Sequence, residues 1–239
     1  MINEGIEAVD VDMPFSRIRN LKEIWEHRFN RELYAGTLPH EIFMAFLSPD
    51  VFIYLPRYTQ AMNAISDRFL ATSNPVAAEQ FKQLAGVNEA YIQYIHDQHP
   101  ELRTQLVTTP GFFQPTRTTK NMIFHEYADH LVKEGSLAEA VARVTPCLWL
   151  YRELGLQMDL TSCSPDHPYL AWLKSYKDPE YVGLANDLVA TLNTLYKQTN
   201  CPVEKEKIMV AFQESLDFDL AIFESLHPNE PVAQNTNFI

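Results

Sequence analysis

The sequence predicts an all-α fold, a single-domain helical bundle, on three observations. Apolar residues recur at helical spacing through most of the chain, and Ser, Asn and Pro stand where helices start. Glycine is scarce: 7 residues in 239, where usage of about 7% would give roughly 17. That scarcity argues against a turn-dense β fold and against glycine-rich phosphate loops. With 46% hydrophobic and 21% charged residues the chain can bury a core. No Pro/Gly/Ser-rich or charge-biased linker divides it. One domain over 1–239 is expected, with a short N-terminal extension (about 1–13) and a polar C-terminal tail (about 227–239).

From Pro14 to Asn30, Ile18, Leu21, Ile24, Trp25 and Phe29 form the apolar face of one amphipathic helix. Gly36 suits the left-handed position past a helix end, and Pro39 the first turn of the next helix, His40 to Leu47. Ser48-Pro49-Asp50 joins a good N-cap to a first-turn proline and a first-turn acid, so either a new helix starts here or a long one kinks. That helix should reach about Leu70. Asn74 and Pro75 then cap and open a helix towards His96, and His99 to Gln114 reads as loop. A helix over Thr118 to Lys133 follows.

Ser136-Leu137-Ala138-Glu139 has the capping-box pattern and opens a helix to Leu154, with Gly155 as its stop. Pro146, inside it, has no N–H for the carbonyl of Ala142 and should bend the helix just before Cys147. Further helices are expected from near His167-Pro168, over Pro179 to Lys197, and over Val203 to Leu226. In the last, Phe212, Leu216, Leu220 and Phe223 make one stripe, and Asp219 at its edge aims a carboxylate near the core.

The 19 basic and 31 acidic residues leave a net charge of −12, which repels phosphate backbones and anionic membranes, so no nucleic-acid partner is expected. No uncharged apolar run approaches the roughly 18 residues of a membrane span. The N-terminal stretch lacks the pattern of a signal peptide, and Cys147, Cys163 and Cys201 are odd in number and far apart, as reduced thiols are. A cytoplasmic location fits.

Val144, Cys147 and Tyr151 share one helix face, so a thiol and a phenol point together into the bundle. They read as a nucleophile with an orienting hydroxyl, or as an inert buried cysteine beside a core tyrosine. No His lies one turn from Cys147, so any activator must come from another helix. Asp219 and Asp50 are candidates for proton work on a bound heterocycle, although Asp50 alone also reads as a helix cap. Glu89 with His96, and His125 with Asp129, share helix faces and could hold iron or manganese; ion-pair and surface roles explain them more simply, so no metal or cofactor is expected.

Read in order, several pieces resemble the TenA or thiaminase II family: His27-Arg28-Phe29, Gly36-Thr37-Leu38-Pro39, Asp50, Pro146-Cys147-Leu148-Trp149-Leu150-Tyr151, and Pro165-Asp166-His167-Pro168 with Trp172 and Tyr176. The resemblance runs from about Leu21 to Leu226. It implies a heme-oxygenase-like bundle that binds no heme, assembled as a homo-oligomer (tetramer or dimer). It also implies hydrolysis of an aminomethyl-pyrimidine, or of thiamin, to a hydroxymethyl-pyrimidine.

By that resemblance Cys147 matches the nucleophile, Asp50 the carboxylate that grips the ring's amino group, and Tyr151 and Tyr176 pocket tyrosines. The family's second acid is a Glu; here Asp219 stands in its place. Ile53, beside Tyr54, and Phe124 occupy positions of usual tyrosines, and Pro49 one where the helix is usually unbroken. Those departures imply a more apolar, donor-poor pocket for a different pyrimidine or related heterocycle. Two other readings remain: a non-catalytic binding protein, and an oxidase of the same fold, either quinone-cofactor synthase-like or di-metal.

Overall fold

His27 breaks the first predicted helix in two. In the computed structural model, which describes residues 18–100, 102 and 117–229, α1 (Leu21–Glu26) ends where His27 turns extended, at φ −60° and ψ 140°. The His27 side chain then accepts from the backbone N–H of Phe29 and caps α2 (Arg28–Ala35). The expected extension at 1–13, the start of the first helix, most of the predicted loop and the tail beyond 229 lie outside the described residues.

The remaining elements are α3 (His40–Pro49), a π-helical turn (Asp50–Tyr54), α4 (Leu55–Ala71), α5 (Pro75–Gln98), α6 (Met122–Leu131), α7 (Leu137–Gln157), a 3-10 turn (Leu160–Ser162), α8 (Leu170–Ser175), α9 (Pro179–Gln198) and α10 (Pro202–Leu226). Among the described residues there is no strand. Local capping chemistry sets several of these starts. Asn74 accepts from the N–H of Ala77 at 3.1 Å, and Asp178 caps α9 through Glu180 at 2.9 Å. Ser136 and Glu139 close both bonds of the capping box at 3.2 Å.

Gly36 adopts φ +73° as the sequence requires, and a Cβ there would lie 2.9 Å from the His167 ring. His167 in turn donates from Nε2 to the Tyr34 carbonyl at 2.9 Å and accepts from the Tyr169 N–H at Nδ1, so α8 starts only at Leu170.

Ser48 is not a cap. Its hydroxyl bonds to the Leu102 carbonyl at 3.4 Å, and the backbone stays helical from α3 through the π turn into α4. Pro49 and Pro56 bracket that turn, and neither has an N–H to give the helical ladder, so the hydrogen bonding widens between them. The Leu55 N–H reaches back five residues to the Asp50 carbonyl.

Two more expectations change. α6 covers only Met122–Leu131, and α7 continues past Gly155 to Gln157. Gly155 is a contact point rather than a stop: a Cβ there would sit 2.8 Å from the Cβ of Tyr176 and 2.9 Å from its carbonyl oxygen.

α7 is the central helix, packed against α9, α10 and α4, and most of it is buried. Phe29 stacks on Phe223 at 4.9 Å and tilts against Phe46 at 5.4 Å, which joins α2, α3 and α10. Each fully buried aromatic of this kind contributes roughly 1.5–3 kcal/mol. The helices thus surround a cavity on one side of α7.

Candidate active site

The cavity has a volume of about 210 Å³, below the roughly 300–1,000 Å³ of sites for drug-sized ligands, which suits one small ring system. The π turn brings Asp50 and Tyr54 to its wall, α7 brings Cys147 and Tyr151, the end of α8 brings Tyr176, and α10 brings Asp219. Six of the residues singled out in the sequence therefore meet here.

Ile53 and Phe124 do not line the cavity. Ile53 is buried in the core, and Phe124 is fully buried against Phe46, with ring centroids 6.3 Å apart. Their neighbours face the cavity instead: Tyr54, the next residue along, and Tyr127, one turn further on α6. The expected shortage of donors is therefore absent, because Tyr54, Tyr58, Tyr91, Tyr127, Tyr151, Tyr176 and Tyr181 all line the wall.

Two of these phenols fix α7. Tyr58 Oη donates to the Val144 carbonyl at 3.0 Å and Tyr181 Oη to the Leu148 carbonyl at 3.3 Å, one on each side of Cys147 in the chain. Trp172 donates from Nε1 to the Tyr176 hydroxyl, and Tyr176 packs 5.2 Å from Tyr151. Asn88 uses its amide N–H groups on the Leu55 carbonyl and the Thr59 hydroxyl, each at 2.8 Å, which ties α5 to the start of α4. Tyr58, Asn88, Tyr91, Tyr127 and Tyr181 were not singled out from sequence. Tyr54 and Tyr58 at i, i+4 share a helix face, but only the packing shows which face meets the cavity.

The titrating groups have unusual affinities for protons. Burial raises Asp50 to about 7, and no described side chain hydrogen-bonds its carboxyl. Asp219 is 5% exposed and is raised to about 8, first by burial and further by the charge of Asp50. Tyr127 opposes that shift by donating to Asp219 Oδ2 at 3.3 Å. The Cys147 thiol is pushed well above the ordinary thiol range by burial, then by Asp219 and Asp50. Tyr54 is the neighbour that favours the thiolate, and its buried hydroxyl has no well-formed hydrogen bond among the described residues. At neutral pH Asp219 is thus mostly a neutral acid, Asp50 is poised near half-ionisation, and Cys147 rests as a thiol.

Glu89, His96, His125 and Asp129 do not come together, and among the described residues no three His, Cys, Asp or Glu side chains gather as a metal site would need. Asp129 pairs with Arg117 and lies 3.9 Å from Arg57, the His96 ring stacks 4.8 Å from Phe52, and Glu89 is exposed. The di-metal reading thereby loses its ligand set. Among the described residues no helix is long and apolar enough to cross a membrane.

The model of the TENA/THI-4/PQQC family matches residues 17–225. The chain belongs to this family. An "aminopyrimidine aminohydrolase" of Halalkalibacterium halodurans is 26% identical over 199 residues, 79% of this chain and 84% of that protein. A protein of the same name from Bacillus subtilis is 30% identical over 161 residues, 64% of each chain. A solved TenA homologue from P. horikoshii OT3 superposes with a TM-score of 0.67 at 25% identity, over 87% of this chain and 93% of that one. A TenA homologue from Pyrococcus furiosus, 16% identical, shares the fold with a TM-score of 0.66 over 88% of this chain and 97% of that one. The all-α bundle of this TENA/THI-4/PQQC member is therefore that of the TenA proteins.

Proposed function

We propose that this protein is an aminopyrimidine hydrolase of the thiaminase II type, replacing the amine, or the thiazolium of thiamin, on a pyrimidine methylene by water. The observation that carries the reading is a thiol and two carboxyls of raised proton affinity facing one small cavity, with the Asp50 carboxyl unpartnered among the described residues. The activities named for the relatives support it.

As a carboxylate, Asp50 accepts from the ring's amino group, a charge-assisted contact that gives it the partner it lacks among the described residues. Asp219 gives its proton to a ring nitrogen as Cys147 Sγ bonds to the ring carbon beside the one that bears the methylene. The thiol proton passes to the Asp219 carboxylate, so no separated charge is stored. The ring's electron pair then expels the exocyclic amine, which enters as an ammonium and departs as ammonia. Water adds its oxygen to the methylene, and the proton it sheds goes to the ammonia. Reversal of the first step breaks the Sγ–C bond, returns the ring proton through Asp219, and releases the hydroxymethyl product.

Asp219 is one methylene shorter than the family's Glu, and the Tyr127 hydroxyl holds it in place from the facing helix. A cytoplasmic homo-oligomer, dimer or tetramer, completes the reading on the family resemblance. The test is incubation with the aminomethyl-aminopyrimidine and separately with thiamin, following hydroxymethyl-pyrimidine by chromatography. Product from either substrate is expected; none from either, in a folded protein, refutes the hydrolase. Binding without product would favour the non-catalytic reading, which the suppressed acidity of Cys147 would then explain.

A further inference from the structure

Trp172 and Tyr176 stand one turn apart, on α8 and just past its end, and the indole N–H of Trp172 donates to the Tyr176 hydroxyl oxygen. Both rings are held from several sides. Phe43 meets the indole edge-on, with centroids 5.3 Å apart and planes at 89°, and Tyr91 of α5 lies 6.3 Å from it. Tyr176 is 6% exposed, its Cβ lies against Gly155 of α7, and its ring packs 5.2 Å from Tyr151. The start of α8 is tied down as well, since Tyr169 Oη donates to the Leu38 carbonyl at 2.7 Å.

An indole N–H can only donate, so in this contact the Tyr176 oxygen must accept. That sets the polarity of the phenol. Its accepting side is filled, its own proton remains to be given, and among the described residues no acceptor takes that proton. The hydroxyl belongs to a residue of the cavity wall, where a buried donor left without an acceptor costs about 1–3 kcal/mol that a ligand's lone pair would recover. Donation into the phenol oxygen also polarises its O–H and strengthens it as a donor. Burial raises the affinity of the phenol for its proton, the Trp172 N–H opposes that shift, and Asp50 adds to it most among the charged groups. Tyr176 therefore keeps its proton at neutral pH.

We propose that Trp172 is a positioning residue: its N–H fixes Tyr176 as a donor to an unprotonated ring nitrogen of the substrate, so that Tyr176 and Asp50 together select an amino group with its adjoining ring nitrogen. The proposal rests on the aminopyrimidine reading above. In that chemistry Asp219 protonates the ring nitrogen bonded to the carbon that Cys147 attacks. The other ring nitrogen, beside the amino-bearing carbon, keeps its lone pair throughout. Asp50 accepts from the amino group and Tyr176 donates to that lone pair, an acceptor and a donor matched to one edge of the ring. A ring with an oxo group in place of the amino group presents the reverse pattern, a carbonyl towards Asp50 and a ring N–H towards the phenol, and both contacts become repulsive. Without the indole N–H the phenol oxygen is free to turn a lone pair towards the ligand, and half of this selection is lost.

The test is a double-mutant cycle on the Kd for the hydroxymethyl-aminopyrimidine product, measured by calorimetry in the wild type, Trp172→Phe, Tyr176→Phe and the double variant. Trp172→Phe keeps a ring beside Phe43 and Tyr91 but has no N–H. We expect Kd to rise about five-fold in Trp172→Phe and about ten-fold in Tyr176→Phe, with the double variant within about two-fold of Tyr176→Phe alone. A double variant weakened by the product of the two, about 50-fold, would show that the indole acts by packing alone and would overturn the proposal, as would no change in Trp172→Phe. The wild type supplies a check that needs no variant to fold. An analogue with C–H in place of the ring nitrogen beside the amino-bearing carbon should bind it about five- to ten-fold more weakly than the product does, and Trp172→Phe should weaken that analogue no further. Equal binding of the analogue and the product by the wild type overturns the donor role. Because Kd needs no turnover, a wild type that binds the product but forms none from either substrate fails the hydrolase reading alone, and the pattern of Kd values still decides the role of Trp172. A wild type that does not bind the pyrimidine overturns both.

Discussion

Asp219→Asn tests the proton affinity on which the acid role of Asp219 depends, without needing any substrate. The carboxyl binds its proton to about pH 8 in the folded chain against an ordinary 3.8. Between those values the unfolded chain has lost a proton that the folded chain keeps, so stability falls as pH rises from about 4 to 8 and is fully present below that window. The slope for one such group is about 1.4 kcal/mol per pH unit. From pH 5 to pH 7 the single carboxyl should therefore remove about 2–3 kcal/mol of stability, allowing for partial ionisation of the unfolded aspartate at pH 5. The asparagine variant lacks that slope, so its stability relative to the wild type should rise by that amount over the same interval. Urea unfolding at pH 5, 6 and 7 measures it, with m-values compared to confirm that the denatured state is unchanged. A difference between the two proteins that stays constant across the interval would show that Asp219 is ionised like a surface aspartate, and would refute its role as a neutral acid.

Asp50→Asn removes a charge-assisted contact to the ring, worth about 1.5–3 kcal/mol, so the Kd for the aminomethyl-aminopyrimidine by calorimetry should rise by about 10- to 100-fold. Gly155→Ala forces a Cβ to within 2.8 Å of Tyr176, and overpacking of this kind costs about 1–3 kcal/mol in urea unfolding; a neutral result would mean that the α7–α8 contact is loose. Ser136→Ala deletes the cap of α7 and should lower stability by about 1 kcal/mol, with no change in ligand affinity because the cap is remote from the cavity.

Helix starts were legible because their causes are local. Ser136 with Glu139, and Asn74 with Pro75, satisfy free backbone groups within one turn, and the structure shows those bonds. Helix ends were less so. His27 interrupts a sound amphipathic pattern by capping the helix that follows it, and α7 passes Gly155 because that glycine admits Tyr176 rather than ending a helix.

The cavity wall was legible where the sequence marks one face strongly, as for Cys147 and Tyr151 on one helix, or Asp219 at the edge of an apolar stripe. It was not legible around Ile53 and Phe124. The π turn adds a residue to the helical repeat, so faces counted at 3.6 residues per turn go out of phase, and Tyr54 rather than Ile53 meets the cavity. The contact of Tyr127 with Asp219 depends on α6 facing α10, a pairing that no spacing within either helix reveals.

The most direct test of the central claim is kcat/KM for hydroxymethyl-pyrimidine formation in Cys147→Ser beside the wild type, with both proteins shown to unfold alike in urea. A serine hydroxyl in the same apolar wall is a far weaker nucleophile than the thiol, so the account predicts a loss of at least about 10³-fold. Activity within about ten-fold of the wild type would mean that water attacks the methylene directly, and that Cys147 is a buried thiol of the cavity wall rather than the group that bonds to the ring.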